Sequence, residues 1–130
     1  MSENKKVLIV DDDKFLLDMY SVKFTENGFE VKVAYSGPEA LEAVENGYQP
    51  DVCLVDIIMP NMDGFEVINK LKELPNYQKA ALIILSNLGQ QEDVDKGLKV
   101  GADGYIVKAS ATPSEVVEKV KEIISNKKDK

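Results

Sequence analysis

The sequence predicts a doubly wound α/β domain built on a five-stranded parallel sheet. Three observations predict it. Short apolar runs recur five times along 130 residues, and each is followed by a stretch whose apolar residues fall at helical spacing. The second run alternates polar with apolar residues while the others are almost continuously apolar, which places it at a sheet edge and the others inside. Strands alternating with helices pair in parallel through right-handed crossovers, with helices on both faces.

The first strand is read from Lys5 to Val10 and stops at the triple carboxylate Asp11-Asp12-Asp13. Phe15, Leu16, Met19, Val22 and Phe24 then recur at intervals of three and four, giving a helix with these residues on its inner face, closed by Asn27-Gly28. Glu30 to Tyr35 alternates as an edge strand does. Ser36 with Glu39 makes a capping box around Pro38, opening a helix whose apolar face is Ala40, Leu41, Ala43 and Val44 and whose end is Asn46-Gly47.

The third strand runs from Asp51 to Val55. A long turn follows to Asp63-Gly64, and Phe65, Val67, Ile68 and Leu71 mark a third helix to about Glu73, with Pro75 and Asn76 as the break. Ala80 to Leu85 is the fourth strand, with Ser86-Asn87 at its end. Val94, Leu98 and Val100 define a fourth helix ending at Gly101, and Gly104 to Val107 is a short fifth strand leading into Lys108. Thr112, Pro113 and Glu115 cap a fifth helix with Val116, Val117, Val120, Ile123 and Ile124 on one face; Asn126 to Lys130 is expected to be an unstructured tail. The strand order 2-1-3-4-5, the flavodoxin-like arrangement, fits this pattern. A single domain over residues 1–130, with its core from about 5 to 125, is the expected organisation.

Composition narrows the chemistry. Sixteen Lys and Arg against 23 Asp and Glu give a net charge of -7, which works against nucleic-acid and anionic-membrane binding. The one cysteine, Cys53, lies within an apolar run, so no internal disulfide forms and a buried thiol is expected. No apolar stretch approaches the roughly 18 residues of a membrane span and no basic-then-apolar leader opens the chain, which points to a cytoplasmic setting. Histidine is absent, so chemistry must run on carboxylates, hydroxyls, lysines or groups that a partner brings.

In an open parallel sheet, ligands bind outside the carboxyl ends of the strands where the winding reverses, here between strands one and three. Asp11, Asp12, Asp13, Asp56, Ser86 and Lys108 all fall at such ends. Crowded carboxylates repel one another unless a cation joins them, and oxygen ligands beside a phosphate favour Mg²⁺. Asp56 is then placed to attack phosphorus as a carboxylate nucleophile, with Lys108 neutralising charge and the Ser86 hydroxyl donating to a phosphoryl oxygen. Taken singly, Asp11 to Asp13 serve as well as a helix cap, Asp56 as a turn residue, Ser86 as a cap and Lys108 as a solvated charge. Their joint placement at four strand ends favours the site.

These residues resemble the receiver domain of two-component response regulators over roughly residues 5 to 125. The matching features are VLIVDDD, the run DVCLVDIIMPNMDG, LS at Ser86 and GYIVK ending at Lys108. The resemblance implies a phosphoacceptor switch, not an enzyme beyond weak self-dephosphorylation, in which a sensor histidine kinase or histidine phosphotransfer protein donates to Asp56. It implies Mg²⁺ bound by Asp12, Asp56 and the Ile58 backbone carbonyl, with Asp11 assisting through water. Ser86 and Tyr105 would be the switch pair, reshaping the face made by the fourth helix, fifth strand and fifth helix for a downstream protein. The chain would be a monomer or a phosphorylation-dependent dimer.

Two departures from the family pattern stand out. Ala109 replaces the usual proline, so the peptide after Lys108 is expected to be trans, and Asn87 crowds a position where a small residue is usual. Ile58 and Leu88 flank the phosphate and are expected to restrict water, lengthening its life. No effector domain is expected, whether the chain acts alone or is part of a longer protein. The rival readings are a phosphorylation-independent pseudo-receiver, an aspartate-nucleophile Mg²⁺ phosphatase, and a flavin-binding protein. Ile58 stands where the phosphatase needs its second carboxylate, and Asp11 to Asp13 would repel a flavin phosphate.

Overall fold

The computed structural model describes residues 5–59, 62–75 and 80–128. Its elements alternate throughout: β1 (Lys6–Val10), α1 (Lys14–Glu26), β2 (Glu30–Ala34), α2 (Gly37–Glu45), β3 (Val52–Val55), α3 (Gly64–Lys72), β4 (Ala81–Ser86), α4 (Gln91–Lys99), β5 (Gly104–Val107) and α5 (Pro113–Lys128). The strands form one parallel sheet in the order β2-β1-β3-β4-β5, as the sequence predicts.

The pleat divides the apolar strand residues between two half-cores. Leu8, Val10, Cys53, Val55, Leu82 and Ile84 pack against α2 and α3, while Val7, Ile9, Val52, Leu54, Ile83 and Leu85 pack against α1 and α5. Each fully buried aliphatic side chain contributes about 1.5–3 kcal/mol, and β1, β3 and β4 are buried on both faces. β2 lies at the edge, with Glu30 and Lys32 exposed.

The caps behave as the sequence implies. Ser36 Oγ accepts from the Glu39 N–H at 3.3 Å, and Glu39 reaches back to the Tyr35 N–H. Thr112 and Glu115 exchange backbone-to-side-chain bonds at 2.9 and 3.2 Å. Gly28, Gly47 and Gly101 take positive φ at the ends of α1, α2 and α4.

Three expectations are corrected. α1 buries Leu17, Tyr20 and Phe24, whereas Phe15 is 72%, Val22 59% and Met19 37% exposed. Both sets have helical spacing, so periodicity alone does not choose a face; contact with β2 and α5 does, and the Phe24 ring meets Phe29 edge-on at 5.0 Å. On α4 Leu98 is exposed and Gly97 is the buried residue, with Val94 and Val100 half-buried. The helix is fastened from α3: Lys72 Nζ donates to the Val100 carbonyl at 2.9 Å and Lys96 Nζ lies 4.5 Å from the centre of the Phe65 ring. Lastly, α5 extends to Lys128, because the good helix formers of the expected tail continue the last turn. Asn76, expected to break the chain after α3, lies outside the described residues.

Candidate functional site

Asp11 and Asp56 emerge side by side because β1 and β3 are neighbours in register, Val10 opposite Val55. The Asp56 N–H donates to the Val10 carbonyl at 3.0 Å, extending the ladder to the acid itself. Each acid also closes a local turn: Asp11 Oδ1 accepts from the Asp13 N–H at 3.0 Å, and Asp56 Oδ1 from the Ile58 N–H at 3.1 Å. These bonds fix one oxygen of each carboxylate and leave the other facing the crevice.

Lys108 occupies the gap between them. Its Nζ lies 2.6 Å from Asp11 Oδ2 and 3.0 Å from Asp56 Oδ2, with all three side chains nearly buried. Burial alone would lower the Lys108 pKa, but the bonds to Asp11 and Asp56 and their charges outweigh it, and the ammonium is held above its usual range. Lys108 to Ser110 form a single 3₁₀ turn, and no cis peptide occurs among the described residues, so the bond to Ala109 is trans as expected.

Ligand oxygens of Asp11, Asp12 and Asp56 lie within 4.8 Å of one another. Three carboxylates at that spacing, Asp12 exposed and the others buried, suit one hard divalent cation that keeps part of its water shell. Asp13 does something else, capping α1 with a side chain that accepts from the Leu16 N–H at 3.2 Å. The triple acid thus divides between ligation and capping.

Ser86 ends β4, fully buried, and its Oγ accepts from the Leu88 N–H at 3.3 Å. Tyr105, half-buried on β5, donates its hydroxyl to the Leu88 carbonyl. Burial, with help from Asp93 and Asp56, pushes its phenol pKa up against the opposing Ser86 hydroxyl. Ile58 at 59% and Leu88 at 37% are exposed apolar side chains, and Asn87 points to solvent.

Every anticipated side chain is therefore in the crevice or at its rim. Helical spacing did not single out Tyr20, whose phenol is buried on α1; burial pushes its pKa up, Asp11, Asp56 and Asp13 add to this, and Lys108 opposes it. Nor did it assign roles to two glycines. A Cβ on Gly64 would sit 2.5 Å from the Asp56 carbonyl oxygen, so glycine lets α3 start against the acceptor strand. A glycine inside a helical pattern was the available signal for the second, Gly97.

Comparison with known proteins gives one family. The response regulator receiver domain matches residues 7–121. The chemotaxis protein CheY of Halobacterium salinarum is 36% identical over 122 residues, 93% of this chain and 98% of that protein. A CheY-like response regulator receiver domain protein from Methanospirillum hungatei JF-1 superposes with a TM-score of 0.86 at 31% identity, over 98% of both chains. A CheX-CheY-BeF3-Mg²⁺ complex from Borrelia burgdorferi contains a chain 32% identical, with a TM-score of 0.83 over 93% of this chain and 90% of that one.

Proposed function

We propose, from the premise that this chain belongs to the response regulator receiver domain family, that Asp56 is its phosphoacceptor and that Mg²⁺ and Lys108 share the neutralisation of the transferred group. The observation that carries this reading is the bridge of Lys108 to Asp11 and Asp56, with Asp12 beside them. When bound, Mg²⁺ supplies positive charge to the carboxylates and to one phosphoryl oxygen, with Asp11, Asp12, Asp56 and the Ile58 carbonyl as its ligands.

Asp56 attacks phosphorus through the oxygen not held by the Ile58 N–H. The bond from phosphorus to the donor's imidazole nitrogen breaks, that nitrogen leaves with the electron pair, and it regains a proton from solvent. Lys108 turns from Asp11 to the new phosphoryl oxygens, and Ser86 rotates its hydroxyl to donate to one of them. Since phosphorylation adds close to two negative charges, these contacts exist only in the modified state and shift Tyr105 and the face of α4, β5 and α5 that a downstream protein reads.

The donor is a sensor histidine kinase or histidine phosphotransfer protein, because this chain has no histidine of its own. Phe15, Ile58 and Leu88 form an exposed apolar rim continuous with the crevice, and Met19 and Val22 prolong it along α1. A donor whose imidazole reaches Asp56 covers that rim. Among the described residues no helix is long and apolar enough to cross a membrane, and the reading places the domain in the cytoplasm.

Acetyl phosphate with Mg²⁺ tests the reading. Intact mass is expected to rise by one phosphoryl group in the wild type and to stay unchanged in Asp56→Asn or after chelation. Uptake that survives Asp56→Asn would overturn it.

A further inference from the structure

The loop between β4 and α4 is gathered at one residue. The Leu88 N–H donates to Ser86 Oγ at 3.3 Å and its carbonyl accepts the Tyr105 hydroxyl, so both backbone polar groups of Leu88 are tied to the two switch positions. Packing holds the tyrosine in place to do this. A Cβ on Gly97 would stand 3.1 and 3.3 Å from the Tyr105 ring and 2.6 Å from Ile84 Cδ1, so glycine gives the ring a notch in α4. Gly89, next in the loop, lies equally close against Val107, with 3.3 Å to a built Cβ. The Leu88 side chain, meanwhile, stays 37% exposed, two residues past the buried Ser86 at the crevice.

We propose that the Tyr105 hydroxyl is a positioning group for hydrolysis of the aspartyl phosphate: by clamping the Leu88 carbonyl it keeps the Leu88 side chain across the path of water to phosphorus. The proposal rests on Asp56 being the acceptor. In hydrolysis the water oxygen bonds to phosphorus, the bond from phosphorus to Asp56 Oδ breaks, and the carboxylate leaves with the electron pair. The water proton ends on inorganic phosphate or solvent. No histidine is present to orient or deprotonate that water, so its access to the in-line position governs the rate. Tyr105 thereby sets how long the signal lasts, a role separate from what any partner reads on its ring.

Tyr105→Phe keeps the ring in its notch and removes only the donor, and two measurements read the result. In the unmodified protein, hydrogen exchange at the amides of residues 87–90 is expected to speed up. After loading with acetyl phosphate and removing it, the first-order loss of phosphoryl group by intact mass is expected to be about two- to tenfold faster, the factor to which one net hydrogen bond converts. Leu88→Ala is expected to accelerate the loss as well, and Tyr105→Phe to add nothing in that background. Unchanged loss in Tyr105→Phe, or the same acceleration in both backgrounds, overturns the clamp while leaving Asp56 as acceptor. A wild-type protein that takes up no phosphoryl group overturns the acceptor reading and the clamp with it, whatever the exchange shows.

Discussion

Cys53 shows how burial governs a single side chain. Its thiol is fully enclosed in the half-core under α2 and α3, and burial pushes its pKa up to about 12. The sign follows directly: the folded value exceeds the unfolded one of 9.0, so the neutral thiol stabilises the fold below that pH and the contribution is lost as pH rises toward the folded value. Cys53→Ala is expected to cost about 1 kcal/mol at neutral pH by opening a small cavity. That deficit is expected to close above pH 9, since each pH unit there removes about 1.4 kcal/mol from the wild type alone. Parallel denaturant melts of the two proteins would check it, and a gap that stays constant from pH 9.0 to just below about 12 would refute it.

Among the elements, α1 separates what periodicity can tell from what it cannot. The strands were legible because a pleated segment buried on both faces has to be apolar throughout, and the capped helices because Ser36, Asp63 and Thr112 supply side-chain acceptors at their starts. Phe15, Met19 and Val22 mimic an inner stripe as faithfully as Leu17, Tyr20 and Phe24, and only the neighbouring elements decide between them. The acid crevice was legible because its members sit at strand ends, whereas the Tyr105 to Leu88 contact depends on how a loop folds back. The exposed stripe has a testable role: Phe15→Glu with Met19→Glu is expected to slow phosphoryl transfer from a histidine phosphotransfer protein at least tenfold, a typical cost of losing central apolar contacts. Modification by acetyl phosphate, which needs no docking, is expected to stay within about twofold, as substitutions at exposed positions usually perturb the fold little. Equal slowing with both donors would argue against a docking role.

For the whole molecule, net charge and site position pull in opposite directions. A chain of charge -7 gathers Asp11, Asp12 and Asp56 at one end of its sheet with Lys108 as the nearest cation. A divalent ion that relieves this crowding binds the folded state in preference to the unfolded one, and at a hundredfold excess over Kd it adds about 2.7 kcal/mol of stability. Mg²⁺ is therefore expected to raise Tm by several degrees in the wild type and much less in Asp12→Asn, followed by thermal melting in chelated and Mg²⁺-loaded buffer. No shift in the wild type would remove the metal from the reading. α4, meanwhile, is moored to the rest of the molecule by two long cationic arms, Lys72 and Lys96, and by the bare backbone of Gly97, with little grease beneath it. Arms of that kind swivel without letting go. The rod can tilt about its tethered far end while the sheet underneath stays rigid, so a charge added at one strand tip travels outward as leverage and not as melting.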